Sequence, residues 1–190
     1  MNITAFDPGA AAAYSELFEA CGSACFCRWW HFQGTANDWL ARCIQEPERN
    51  RNEQLALNRD EHPEAQGLLA FEGPRAIGWM KLAPRTTLRK LLRQGAYRGL
   101  HLGPDDAIWS IGCLLVHPAH RKSGVARAMV SASGDFVRRW GGQAVEAYPR
   151  HAGDWTYDEH AWMGTEKLFA SSGFTRIAGG PAYPVMRKSV

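Results

Sequence analysis

The residues Val116-His117-Pro118-Ala119-His120-Arg121-Lys122-Ser123-Gly124-Val125-Ala126 bring together the ingredients of an anion socket. A run of strand formers, Ile108 to Val116, stops at a proline. A short basic turn with one glycine follows, and a helix starts at once. A socket for a phosphate-bearing cofactor needs backbone N–H groups aimed at the anion. It also needs a glycine that lets the chain come close, and the electropositive N-terminal end of a helix. Arg121 and Lys122 add positive charge where the phosphates would lie. The spacing is neither Gly-x-x-x-x-Gly-Lys-[Ser/Thr] nor Gly-x-Gly-x-x-Gly, which excludes the nucleotide-triphosphate and dinucleotide loops.

The elements that position this loop follow from periodicity and turn residues. Ile3 to Phe6 reads as a first strand, and Ala10 to Ala20 as a helix with Tyr14, Leu17 and Phe18 on one side. Cys21 to Trp30 is dense in cysteine and aromatic residues and has no clear period. Asn37-Asp38 caps a helix carrying Trp39, Leu40, Cys43 and Ile44, and Pro47 opens another that runs to about Asp60. Gly67–Phe71 and Ala76–Leu82 are strands joined by the turn Glu72-Gly73-Pro74-Arg75. Pro84 to Asp106 is a long polar connection with a short helix over Leu88–Leu92; connections of that length are usually functional or mobile. After the loop, Val125, Ala128, Met129, Ala132, Phe136 and Trp140 form a helical stripe that faces a sheet. Gln143–Tyr148 is a strand, Pro149–His160 a second long loop, and Trp162–Ser172 a helix closed by Gly173. Phe174–Ala178 and Tyr183–Lys188 are the last strands. No repeat, low-complexity tract or linker interrupts the pattern, so residues 1–190 read as one α/β domain.

Composition narrows the function classes. Apolar content of 45% and charged content of 22% are those of a soluble globular chain. A net charge of +3, with the basic residues scattered, argues against nucleic acid as a partner. No apolar run approaches the roughly 20 residues that span a bilayer. The start Met1-Asn2-Ile3-Thr4 has no signal-peptide pattern, so a cytoplasmic location is expected. An odd cysteine count, 5, fits reduced thiols.

The loop resembles the acetyl-CoA loop of the GNAT acetyltransferase superfamily, Val-x-Pro-x-x-[Arg/Gln]-x-x-Gly-x-[Gly/Ala]. Val116, Pro118, Arg121, Gly124 and Ala126 fill its defined places. Leu168-Phe169-Ala170-Ser171-Ser172-Gly173-Phe174 is similar to the family's Leu-Tyr-x-x-x-Gly-Phe, and the element order is similar to the GNAT fold. A closer resemblance is to a little-described bacterial subgroup. It rests on Cys25-Phe26-Cys27-Arg28-Trp29-Trp30, Val145-Glu146-Ala147-Tyr148-Pro149 and Gly164-Thr165.

The resemblance implies a single mixed central sheet of six to seven strands flanked by helices, and acetyl-CoA as co-substrate. The pantetheine arm would pair with the backbone of Leu114, Leu115 and Val116, and the pyrophosphate would lie over the N–H groups of Arg121, Lys122, Ser123, Gly124, Val125 and Ala126. An N–H near Val116 would stabilise the oxyanion. The family's usual acid and base are missing, because Phe169 and Ser110 stand in their places. Glu146 is the expected substitute base, the other reading being a salt-bridged or substrate-binding glutamate. Tyr148 is the candidate proton donor, against a packing role. Asp154, Asp158, Glu159 and His160 lie in a loop that would cover the acceptor, most of them as solvated charge.

Phe26, Trp29 and Trp30, with Phe32 and Trp39, are expected to wall the acceptor pocket or else to be core. Cys-x-Cys with His31 is too weak a pattern for zinc, and no metal is expected. The expected activity is direct acetyl transfer to a primary amine of a small molecule, since no cysteine has His and acid partners at a recognisable spacing. A protein or peptide acetyltransferase and a non-catalytic CoA-binding module are the alternatives. No membrane partner is implied, and the sequence leaves room for a homodimer.

Overall fold

The computed structural model describes residues 1–150 and 158–190, of which 158–160 by backbone only. Its strands are β1 (Asn2–Ala5), β2 (Gly67–Glu72), β3 (Arg75–Pro84), β4 (Ile108–Val116), β5 (Ala144–Ala147), β6 (Thr175–Gly180) and β7 (Tyr183–Ser189). They form one 7-stranded sheet in the order β1-β2-β3-β4-β5-β7-β6. The pair β4–β5 is parallel and its neighbours are antiparallel. The helices are α1 (Ala11–Ala20), α2 (Ala36–Gln45), α3 (Pro47–Arg59), α4 (Arg89–Leu92), α5 (Val125–Arg139) and α6 (Glu166–Ala170). The mixed sheet flanked by helices agrees with the expected fold class.

One irregularity in the sheet governs the rest. Lys81 pairs with Cys113, yet Leu82 pairs with Ile111, so Gly112 is an extra residue on β4. The bulge reverses the alternation of side chains along the strand. Trp109, Ile111 and Leu114 pack under α5, whereas Cys113 and Leu115 turn to the face covered by α1. Trp30 lies against the bulge and its indole Nε1 donates to the Gly112 carbonyl at 2.8 Å. A Cβ at Gly112 would stand 3.2 Å from that indole. Trp30→Phe leaves a buried carbonyl without its donor, and we expect a loss of about 1–3 kcal/mol in chemical denaturation.

Two layers cover the sheet. On one face α5 contributes Val125, Met129, Val130 and Val137, joined by Phe169 and Phe174. On the other, α1 contributes Tyr14, Leu17 and Phe18 around Trp79. The stripe of α5 differs from the expected one. Ser133 and Gly134 are buried while Phe136 and Trp140 are half-buried, because Gly134 lies against Val190 and leaves no room for a larger side chain. The connection after β3 is pinned rather than loose. Leu88, Leu91 and Tyr97 are buried with Tyr148 and Val185, and Arg85 is 1% exposed.

α3 is buried by amides rather than by an apolar stripe. Asn50, Gln54 and Asn58, one turn apart, donate to the carbonyls of Ala24, Ala65 and Phe6 at 2.9, 2.9 and 3.0 Å. They tie three chain segments to the helix. The last helix is shorter than expected. Asp158–Met163 is a 3-10 turn, Gly164 takes φ +75°, and Thr165 caps α6 by accepting from the Leu168 N–H at 3.2 Å. Among the described residues no helix is long and apolar enough to cross a membrane.

Candidate active site

The basic turn forms as its composition requires. Pro118–His120 makes a single 3-10 turn, Lys122 and Gly124 take φ +61° and +91°, and α5 starts at Val125. The N-cap, Gly124, has no side chain to cap α5, so the first N–H groups of the helix are left to other partners. A Cβ at Gly124 would meet nothing within 4 Å, so glycine is required here by the left-handed backbone. Ser123 Oγ donates to the His120 carbonyl at 2.6 Å and tightens the turn.

The strand before the loop has an open edge. β4 pairs with β5 only from Ile108↔Ala144 to Ile111↔Ala147, while β4 runs on to Val116. The His117 N–H donates to Ile77 O at 2.9 Å. Antiparallel alternation then directs the main chain of Leu115 and Cys113 to β3, and that of Leu114 and Val116 to the side where β5 has ended. Leu114 and Val116 therefore present the groups expected for a pantetheine arm. Leu115 lines the cavity too, but its main chain is turned to β3.

A cavity of about 950 Å³ joins this edge to the loop. Residues 121–127, the β4 edge from Cys113 to Val116, and an aromatic wall of Trp29, Trp30, Trp39 and Trp162 all line it. Trp30 lies 5.5 Å from Trp162, and Trp29 lies 5.5 Å from Trp39, measured between ring centroids. Cys21, Cys25, Cys27 and Cys113 also line it, and the Cys21 thiol donates to the Val116 carbonyl at 3.7 Å. Among the described residues the lining holds no Asp, Glu or His, and its charges are Arg121, Lys122 and Arg127.

Three expected site residues are elsewhere. Glu146 does not line the cavity; it is fully buried on the sheet face turned to the connection after β3. Its Oε1 accepts from Arg85 Nη1 at 3.0 Å and from Arg187 Nε at 2.9 Å, and Oε2 accepts from the Tyr148 hydroxyl at 2.6 Å. A carboxylate so engaged has no lone pair turned to an incoming amine, and its placement is that of the salt-bridged alternative. Tyr148 likewise lies outside the cavity and is 0% exposed. Burial and the neighbouring Glu146 charge push its phenol well above the usual tyrosine value. Phe26 turns inward with φ +42° and stacks on Phe18 at 5.0 Å, which makes it core rather than wall. Asp154 and the side chains of Asp158, Glu159 and His160 lie outside the described residues.

Cys113 and Trp162 complete the site, and the sequence did not single them out. No spacing rule finds them: Cys113 reaches the cavity through the bulge, and Trp162 through the turn before Gly164. His31, set behind the cysteines, is not a cavity residue. Burial, and then the Lys81, Arg28 and His62 charges, hold its pKa down to about 2. The unfolded chain therefore carries the extra proton below its ordinary 6.5, and stability falls as pH falls through that window. We expect a slope of about 1.4 kcal/mol per pH unit, read from denaturation midpoints and reduced in His31→Gln. Among the described residues no group of three or more His, Cys, Asp or Glu is arranged to hold a metal ion.

A family model described as Acetyltransferase (GNAT) family matches residues 19–155. Solved structures share the fold at low identity. The yncA protein of Salmonella typhimurium, with its cofactor acetyl-CoA, is 18% identical with TM-score 0.52, covering 99% of this chain and 92% of that one. A ribosomal-protein-alanine N-acetyltransferase from Brucella melitensis is 12% identical with TM-score 0.55 and full coverage of both chains, 100% and 100%. Aminoglycoside 6'-acetyltransferase type Ii is 14% identical with TM-score 0.51, covering 100% and 97%. No curated protein matches the chain.

Proposed function

The chain belongs to the acetyltransferase (GNAT) family, and from that premise we propose that it is an acetyl-CoA-dependent N-acetyltransferase working by direct transfer to a primary amine. One observation carries the reading: the anion-binding end, the open edge at Leu114 and Val116, and an aromatic wall belong to a single cavity. That arrangement fits acetyl-CoA. The first turn of α5 with Arg121 and Lys122 would hold its phosphates, and Leu114 and Val116 would pair with its arm. The thioester then comes to lie beside the tryptophans, where an N–H of the β4 edge meets the developing oxyanion.

The lining also favours one class of acceptor. Indole surface dominates the described wall. A compact amine with an apolar or aromatic body fits that surface. The finer resemblance to the Cys-x-Cys subgroup rests on sequence motifs alone, and we take residues 1–190 as one cytoplasmic domain on the same footing.

A second reading, a CoA-binding module without catalysis, draws support from the placement of Ser110, Phe169, Glu146 and Tyr148, none of which lines the cavity. Calorimetry with CoA and thiol release from acetyl-CoA over an amine panel separate the two. Cofactor binding with turnover of aromatic amines is the expected result. Binding without turnover of any amine would leave only the module.

A further inference from the structure

A direct transfer needs a group that removes the proton from the incoming ammonium, and neither the Ser110 position nor Glu146 supplies one. The cavity wall does carry an unassigned cluster. Cys27, 2% exposed, lines the cavity beside Cys113, and its Sγ accepts from Trp79 Nε1 at 2.9 Å. Cys113 lines the same cavity. Lys81, fully buried and the register partner of Cys113, stands behind them with its ammonium on the Glu64 carbonyl. The bulge at Gly112 creates this grouping, because without it Cys113 would face α5 instead.

We propose that Cys27 is the general base of the transfer, its sulfur held at the cavity wall by the Trp79 indole, with Cys113 on the same wall and Lys81 behind it. The proposal rests on the acetyltransferase reading above. The Cys27 thiolate takes one proton from the substrate ammonium. The freed amine attacks the thioester carbon, the C–N bond forms and the C–S bond breaks. The second N–H proton travels to the departing sulfur, and Cys27 returns its proton to water.

The surroundings of Cys27 favour the thiolate. Burial opposes a charge there, but Cys113, Lys81, Trp79 and Arg28 together outweigh it, and its pKa falls below the ordinary thiol value. The other groups facing it take the opposite course. Cys113 is driven well above the usual value by the neighbouring Cys27, and burial pushes Cys25 up to about 12. Burial likewise raises Tyr14 on α1. Burial also brings Lys81 down to about 8, against the attraction of Cys27. The acid limb of kcat/KM therefore belongs to the Cys27–Lys81 pair as a unit.

The test uses the whole protein with acetyl-CoA and the best amine of the panel. Cys27→Ser and Cys27→Ala should lower kcat/KM by about 10²–10³-fold, with CoA affinity by calorimetry unchanged. Cys113→Ala and Lys81→Met should move the acid limb to higher pH without abolishing it, a shift that loss of packing alone does not produce. Alkylation by iodoacetamide, followed by peptide mass against pH, should find Cys27 the first thiol to react and acetyl-CoA protecting it. Cys27→Ser with the wild-type rate and limb would overturn the proposal. So would Cys27 reacting no faster than Cys25, or an acetyl group accumulating on Cys27, which would make it a nucleophile. If the wild-type protein binds CoA and turns over no amine, the acetyltransferase reading itself fails. Turnover kept in Cys27→Ser removes only the base.

Discussion

Gly124→Val should weaken CoA binding by about a hundredfold, or about 2.7 kcal/mol, in calorimetry on folded protein. Two effects add. The residue takes φ +91°, where a β-branched side chain is strained, and the left-handed backbone costs roughly 1–2 kcal/mol for any L side chain. The larger effect comes only with ligand. A Cβ at this position meets no protein atom within 4 Å, so the free protein has space for it, and under the proposed function that space is where the phosphates would approach the first N–H groups of α5. The variant should therefore stay folded with a modest drop in its unfolding midpoint and lose binding out of proportion. Gly124→Ala should fall between. Equal CoA affinity in Gly124→Val and wild type would mean that the turn does not hold a diphosphate, and the proposed function would go with it.

The contrast between loop and catalytic residues shows what sequence makes legible here. Loop, strand and helix are contiguous, and a glycine with positive φ beside two basic residues leaves a local signature, so residues 116–126 were readable from order alone. The seven strands were readable for the same reason, since each carries its own apolar pattern and turn residues. Glu146 was not, because its partners come from far along the chain: Arg85 lies 61 residues away and Arg187 lies 41. Strand alternation correctly put Glu146 with Tyr148, yet nothing local told that their shared face is turned to Arg85 rather than to the cavity. Cys113 shows the reverse failure. Simple alternation puts it with Trp109 and Ile111, and a single bulged glycine sends it to the opposite face. One inserted residue thus decides which thiols line the cavity.

Glu146→Gln separates the two roles that sequence left open for this carboxylate. In the structure it answers two guanidinium groups and a phenol, with Arg85 1% exposed and itself 0% exposed. Removing one partner of a buried pair leaves charge uncompensated, a loss of about 3–5 kcal/mol. Glutamine keeps one acceptor oxygen but turns an NH2 group toward an arginine or toward the Tyr148 hydroxyl, so the lower end of that range is expected, read as a fall in the denaturation midpoint at unchanged slope. Loosening this cluster also frees the connection after β3, which Arg85 fastens to Asp105 at 2.7 Å and to the Gly103 carbonyl at 2.8 Å. Activity per folded molecule should nonetheless keep its pH profile, because no atom of Glu146 lines the cavity. A variant of wild-type stability that has lost the acid limb of kcat/KM would return Glu146 to the part of base, and Cys27 would lose it.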